Sequence, residues 1–175
     1  MLGDLSRLYE SNGDPGCISN GWGDAGGKSY GMYQLASRMG SVNSYLGWCK
    51  RAGYWFADYL MEHEVGSAGF DAAWSYLANS ENRADFANSQ HDYIKYAYYD
   101  PAISALKAAM YDVEGKHSAV MRDVVWSRAV QYGTGYIVEM FTDAVKSLGY
   151  PNLSYVDDSR FDADMIKAVY LNVCS

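Results

Sequence analysis

Beyond Met32 the apolar residues recur every three to four positions, which is the spacing of one buried helix face. The pattern predicts successive helices over residues 41–51, 53–63, 69–79, 82–98, 101–111, 117–131, 136–147 and 162–173. Several boundaries carry their own signals: Ser118 is a typical N-cap, Pro101 suits a first helical turn, and Gly149 followed by Pro151 is typical of a helix end. Most of the chain is therefore predicted to be α-helical.

The N-terminal part follows a different pattern. A short amphipathic helix is predicted from its apolar positions, and it should end between Glu10 and Asn12; these positions are Leu2, Leu5, Leu8 and Tyr9. From Ser11 to Gly31 the many glycines, together with Pro15, exclude a long helix and favour turns with a small β-hairpin. The sequence predicts a mainly α fold with a small β or irregular wing near the N-terminus.

Length, charge and cysteine content narrow the function classes. The 175 residues fit a single domain spanning 1–175 with its own core. A net charge of −7 lacks the positive field that nucleic-acid binding uses, so no nucleic-acid partner is expected. No apolar run reaches the ~20 residues of a membrane span, so no membrane insertion is expected. The start lacks the features of a secretory signal, and the three cysteines are interpreted as thiols, so synthesis in the cytoplasm without a signal peptide is expected.

The chemistry-bearing residues cluster in the glycine-rich stretch. Glu10 ends the first predicted helix, Asp24 lies in the glycine loop, and a polar and aromatic run follows, which contains Ser29, Tyr30 and Gln34. Glycoside hydrolysis needs one carboxyl group that stays protonated near neutral pH, and an inverting enzyme also needs an ionised carboxylate that activates water. Partial burial at a helix end would raise the pKa of a glutamate, whereas an aspartate on a glycine loop would stay ionised.

This stretch resembles the goose-type lysozymes and the related lytic transglycosylases. Glu10-Ser11 matches their catalytic Glu-Ser pair, and the run from Asn20 through Trp22 to Asp24 matches the goose-type Asn-Gly-Trp-Gly-Asp loop. Gly31-Met32-Tyr33-Gln34 is similar to their Gly-Leu-Met-Gln segment. The resemblance implies a two-lobed, lysozyme-like helical domain in which Glu10 is the acid.

Further residues of this stretch are candidates for the site. The goose-type pattern has another acidic residue two positions after the glutamine, where this chain has Ala36, so Asp24 is the candidate for water activation. Trp22, Ser29, Tyr30 and Gln34 are the candidate sugar-binding residues, and the alternative for Trp22 and Tyr30 is a small local core beneath the loop.

A second segment, Ala129-Val130-Gln131-Tyr132-Gly133, is similar to the Ala-Tyr-Asn-Ala-Gly segment of lytic transglycosylases. That similarity implies that Gln131 or Tyr132 lines the substrate cleft. Trp126, which precedes this segment on the same predicted helix, is expected to pack in the core.

The resulting hypothesis is an N-acetylmuramidase that cuts the MurNAc-β-1,4-GlcNAc bond of bacterial peptidoglycan and needs no cofactor and no metal. A lytic transglycosylase, a catalytically silent glycan-binding module, and chitin or chitosan as substrate remain open. The expected place of action is the bacterial cell wall, reached as a phage endolysin or as part of a larger virion or secretion assembly, or with a separate wall-binding module. A cysteine peptidase built on Cys17 or Cys49 with His91 or His117 is disfavoured, because no local motif supports it.

Overall fold

The computed structural model describes residues 1–4, 6, 11–20, 27–36 and 40–173. These residues form two compact units, which we call the N-terminal unit (residues 7–94) and the C-terminal unit (residues 1–6 and 95–175). Among the described residues of the first predicted helix, Asp4, Ser6 and Ser11 are helical, whereas Leu2 and Gly3 lie in a turn.

The N-terminal unit contains a small antiparallel sheet, which we call the wing. Its strands are β1 (Ile18–Asn20), β2 (Lys28–Tyr30) and β3 (Leu35–Ala36), in that order. Ser29 is paired with Ser19 on one side and with Ala36 on the other. Four helices follow: α1 (Ser41–Ala52), α2 (Phe56–Met61), α3 (Ala68–Asn79) and α4 (Arg83–Ile94).

The core of the N-terminal unit is built from aromatic rings. The ring of Trp74 on α3 lies 4.7 Å from that of Phe86 and 5.3 Å from that of Tyr30. Tyr45 and Phe70 pack on the same indole, each with ring centroids 5.8 Å away. Rings at these separations and tilts contribute attraction beyond the area that they bury, so the wing and the helices share one packed core.

Among residues 95–173, the C-terminal unit contains a π-helical turn (Lys95–Tyr99) and five α-helices, α5 (Asp100–Ala108), α6 (Val113–Lys116), α7 (Ala119–Tyr132), α8 (Ile137–Ser147) and α9 (Asp162–Val173). Ser118 caps α7 by accepting a hydrogen bond from the backbone N–H of Met121, as its position predicted. Trp126 is fully buried, with its ring 5.4 Å from that of Tyr99, which confirms its predicted core position.

A buried polar cluster also stabilises the C-terminal unit. The ring nitrogens of His117 lie 2.6 Å from a carboxylate oxygen of Asp162 and 2.9 Å from one of Asp157. Burial alone raises the pKa of Asp157, but hydrogen bonds from His117, the backbone of Asp112 and Lys116 outweigh it, and the pKa is lowered from its ordinary 3.8. This carboxylate therefore stabilises the folded chain at neutral pH.

The predicted class, mainly α with a small β wing near the N-terminus, is confirmed, and most helix bounds agree within a few residues. Two predicted helices are shorter than expected. The helix predicted over 53–63 begins at Phe56, because Gly53 adopts a left-handed conformation (φ 88°) that ends α1. The helix predicted over 82–98 changes to a π turn at Lys95, ahead of Pro101, whose nitrogen cannot donate to the helix.

Candidate functional site

Three of the predicted site residues, Glu10, Trp22 and Asp24, lie outside the described residues. The structure does describe Ser11, which follows Glu10 in the chain, and the segment Gly31–Gln34 that carries the second half of the motif. Among the described residues, the candidate site consists of Ser11, this segment and the residues that hold them.

Ser11 is hydrogen-bonded to the Gly31–Gln34 segment. Its buried hydroxyl donates a 2.8 Å hydrogen bond to the carbonyl of Met32. The backbone N–H of Met32 donates in turn to the Oε1 atom of Gln90 at 2.9 Å, and the Nε2 atom of Gln90 donates to the carbonyl of Pro15 at 3.1 Å. One side chain from α4 thus links both halves of the glycine-rich stretch.

Gly31 is required where this linkage is made. Its φ is +84°, and a Cβ atom added there would lie 2.5 Å from the Oε1 atom of Gln90 and 3.2 Å from the indole of Trp74. Any other residue would face both a left-handed backbone and a collision with the side chain that bonds Met32. Glycine is therefore required at this position of the motif both by the left-handed turn and by the close packing of Gln90 and Trp74.

Two predicted sugar-binding residues, Ser29 and Gln34, come together on the wing. Ser29 lies directly opposite Ser19 in the sheet, so their side chains share one face. Gln34 has a left-handed backbone (φ 52°), and its amide donates to the carbonyl of Gly31 at 2.8 Å and accepts a hydrogen bond from the hydroxyl of Ser19. Hydroxyl and amide groups on a half-exposed face are suited to bind the hydroxyl and acetamido groups of a sugar.

Cys17 lies at the edge of the same face, where Gln34 is one of its hydrogen-bond partners. Burial raises the pKa of its thiol, the charge of Asp14 raises it further, and the Gln34 contact only partly offsets them. Burial likewise raises the pKa of Cys49 to about 11. Both side chains stay protonated at neutral pH, so neither has the thiolate that a cysteine peptidase needs.

The structure places Tyr30 differently from its expected role as a sugar-contacting ring. Tyr30 is fully buried among core aromatics, and its hydroxyl donates a 2.6 Å hydrogen bond to Asp71. Asp71 also accepts from Lys28, whose ammonium group binds the carbonyl of Gly66 as well. The alternative of a local core beneath the loop therefore describes Tyr30, whose ring is packed on the sheet face that turns inward.

The other two predicted residues, Gln131 and Tyr132, lie at the end of α7 in the C-terminal unit. Gln131 is exposed, and the ring of Tyr132 is 40% exposed. Both contact Arg128: its Nη2 donates to the Oε1 atom of Gln131 at 2.8 Å, and its guanidinium carbon lies 5.3 Å from the ring centre of Tyr132. The segment therefore presents an amide and an aromatic ring at the surface of this unit.

Sequence reasoning missed Gln90, Asp71 and Arg128, although each lies on a predicted helix. Gln90 and Arg128 share helix faces with buried apolar residues, and a polar side chain on such a face was the available signal. For Asp71 no such signal existed, because an acidic residue in a first helical turn is common.

The described residues offer few alternatives to this site. Within the described ranges, no group of three or more His, Cys, Asp and Glu side chains could hold a metal ion. None of the helices that the structure describes combines the length and apolar character needed to cross a lipid bilayer. An open depression of about 350 Å³ in the N-terminal unit includes none of the predicted site residues; it is lined by Asn43, Leu46, Met61, His63, Glu64 and Val65.

Comparison with known proteins gives both a fold and a family. A chitosanase solved as a complex superposes with a TM-score of 0.64 at 17% sequence identity, over 95% of this chain and 73% of the chitosanase. This likeness shows the lysozyme-like helical fold, which confirms the predicted fold class.

The type VI secretion system spike protein VgrG3 of Vibrio cholerae serotype O1 is 37% identical over 133 residues, which are 75% of this chain. The chain spans only 12% of that relative's length. The family described as type VI secretion system spike protein VgrG3-like, C-terminal, matches residues 2–172, and this chain belongs to it.

Proposed function

We propose that this chain is a glycoside hydrolase that cuts the glycan strand of bacterial peptidoglycan at the MurNAc-β-1,4-GlcNAc bond, with Glu10 as the general acid. The observation that carries the proposal is the bond from Ser11 to Met32. It joins the residue after Glu10 to the Gly31–Gln34 segment, and these two stretches are the ones in which the sequence resembles goose-type lysozymes. A likeness in two separate stretches that also meet in space supports one shared site.

In the proposed mechanism, Glu10 protonates the glycosidic oxygen while Asp24 deprotonates a water molecule on the opposite side of the sugar. Ser29 and Gln34 orient the sugar through hydrogen bonds from the wing, and Trp22 is the proposed aromatic contact of the same sugar-binding set. Gln131 and Tyr132, at the surface of the C-terminal unit, stay predicted glycan contacts of that unit. No step needs a metal or an organic cofactor, and one catalytic domain spanning 1–175 carries all of these groups.

The family supports a route to the wall. Because the Vibrio cholerae relative is a type VI secretion system spike protein and this chain spans 12% of it, we propose that the domain acts as part of a larger secretion assembly that carries it to a bacterial cell wall. This origin is favoured over a phage endolysin. The glycan specificity is supported by the resemblance of the motif, whereas the chitosanase likeness supports only the fold.

The test is digestion of purified peptidoglycan with the wild type and with Glu10→Gln. The amide is nearly isosteric but cannot donate the proton, and general acid catalysis contributes roughly 10²–10⁴-fold, so release of soluble muropeptides should fall by at least a hundredfold. Glu81→Gln, an exposed glutamate on the same unit, is the matched control and should digest like the wild type. A Glu10→Gln rate above about a tenth of the wild-type rate would remove Glu10 from the mechanism.

Mass spectrometry of the fragments distinguishes the two enzymatic alternatives. A hydrolase leaves a reducing N-acetylmuramic acid, whereas a lytic transglycosylase leaves a 1,6-anhydro ring lighter by one water, about 18 Da. We expect the reducing product, and we expect Asp24→Asn to lose at least about tenfold in rate because the water then lacks its base. Anhydro products from an active Asp24→Asn variant would establish the transglycosylase instead, and binding without cleavage would establish a glycan-binding module.

A further inference from the structure

Arg128 is a charged residue in an unusual position. It lies on α7 with 8% of its surface exposed. Val124 and Val125, one helical turn before it, and Ala129, directly after it, are all buried. The guanidinium carbon is 4.3 Å from the ring centre of Tyr170 and 5.3 Å from that of Tyr132, so two aromatic faces contact the cation.

The hydrogen bonding of this guanidinium group is incomplete. Its Nη2 donates to the neutral amide oxygen of Gln131, and its buried Nε has no hydrogen-bond partner. No carboxylate among the described residues forms an ion pair with Arg128. A buried charge of this kind is costly unless an anion neutralises it and accepts its remaining hydrogens.

The unsatisfied nitrogen lies on the guanidinium edge that binds carboxylates best. Nε and Nη2 point to the same side of the group, and together they form the two-pronged edge that a carboxylate accepts. Gln131 occupies only one prong, with an amide oxygen that imitates one oxygen of a carboxylate. Because Gln131 is exposed and is held there by one hydrogen bond, it can move aside when a ligand brings a charged acceptor.

We propose that the Arg128 edge, with Tyr132 and Gln131 at its rim, is a binding site for a carboxylate group of the glycan substrate. The chain carries a net charge of −7, which repels an anionic polymer at long range, so recognition of a carboxylate has to come from a local cation such as this one. The site rests on the proposed function in that peptidoglycan supplies the ligand. It makes Arg128 a specificity residue that separates peptidoglycan from chitin and chitosan, which lack carboxylates.

Peptidoglycan offers two sources of carboxylate, and three small ligands distinguish them. N-acetylmuramic acid has a free lactyl carboxylate. Muramyl dipeptide has its lactyl carboxyl group blocked as an amide and keeps a carboxylate on the peptide. N-acetylglucosamine has no carboxylate. Titration of the full chain with each ligand, followed by NMR or tyrosine fluorescence, gives three dissociation constants for every variant.

We expect the wild type to bind one of the two carboxylate ligands roughly tenfold to a hundredfold more tightly than N-acetylglucosamine, the ratio for a charge-assisted hydrogen-bonded pair. Arg128→Gln should erase this preference. Arg128→Lys, which keeps the charge but lacks the planar edge, should lose most of it. Arg160→Gln, which removes an exposed arginine stacked 5.0 Å from Phe161 in the same unit, is the matched control and should keep it.

Gln131→Glu gives an independent test that does not remove the cation. A glutamate three residues after Arg128 fills the edge with a carboxylate of the chain itself, so the variant should melt at a higher temperature and lose the ligand preference. This result would be expected even if Arg128→Gln failed to fold.

Equal affinity of the wild type for all three ligands, or a preserved preference in folded Arg128→Gln, would overturn the site. Digestion of peptidoglycan by the wild type is measured in parallel. A carboxylate preference without digestion would contradict the proposed hydrolase and leave the Arg128 site standing. Digestion without a carboxylate preference would overturn the Arg128 site and leave the proposed hydrolase standing.

Discussion

Replacing Gln90 by leucine removes the side chain that fixes the Gly31–Gln34 segment while keeping nearly the same volume. Gln90 is 2% exposed and Met32 is 3% exposed, so the N–H of Met32 cannot turn to water when its acceptor is lost. An orphaned buried donor costs about 1–3 kcal/mol. The carbonyl of Pro15 loses one bond but keeps its 2.9 Å hydrogen bond from Trp74, so it adds little.

The expected loss in the free energy of unfolding is therefore about 1–3 kcal/mol, which lowers the melting temperature by roughly 2–4 °C per kcal/mol in a chain of this size. Urea unfolding measures the loss, and faster hydrogen exchange at the Met32 amide locates it. Asn88→Leu, on the same helix and exposed, is the control and should change stability by less than about 0.5 kcal/mol. A Gln90→Leu variant as stable as that control would refute the reasoning that this amide holds the segment.

Three further substitutions test other parts of the structure. Tyr30→Phe removes the 2.6 Å hydrogen bond to Asp71 and should lower stability by about 1.5–3 kcal/mol without changing glycan affinity; a loss of affinity in the folded variant would return Tyr30 to the sugar-binding residues. Trp126→Ala empties a fully buried position and should cost about 3–5 kcal/mol in thermal or urea unfolding, and a cost below about 1 kcal/mol would contradict its core position. Burial alone raises the pKa of Asp157, but hydrogen bonds from His117 and other donors outweigh burial and lower the pKa below its ordinary 3.8. The ionised Asp157 therefore stabilises the fold above pH 3.8, and this stabilisation is lost as the pH falls through the lowered pKa. Asp157→Asn should therefore flatten the acid side of the stability curve, and a curve parallel to that of the wild type would show that Asp157 is not responsible.

The helices were predictable because their signals are local. In α1 the buried residues Val42, Tyr45, Leu46 and Cys49 have the spacing of one helix face, and the cap at Ser118 is formed within four residues of sequence. The π turn before Pro101 and the short helix α6 were missed, because neither spans enough residues to show a period. The position of Tyr30 depends on which face of a three-residue strand turns inward, and that choice is made by Phe70 and Trp74, forty and more residues away in the chain.

The residues that hold the two candidate sites show where sequence reasoning can be extended. Gln90 falls among Phe86, Tyr93 and Ile94 on the buried face of α4, and Arg128 falls beside Val125 and Ala129 on that of α7. A polar residue that occupies a position belonging to the apolar face must find its hydrogen bonds inside the protein, because water does not reach it. Gln90 finds them in the backbone at Met32 and Pro15, which accounts for both ends of its amide. Arg128 makes one of the two hydrogen bonds that its Nε–Nη2 edge can donate. Its positive charge is not neutralised by any carboxylate in the described part of the chain. A buried polar residue whose hydrogen bonds are all made inside the protein positions a site, whereas one with an unmet hydrogen bond and an unneutralised charge is a candidate to bind a ligand. The helical period identifies both residues in the sequence, and the count of their hydrogen bonds in the structure distinguishes the two roles.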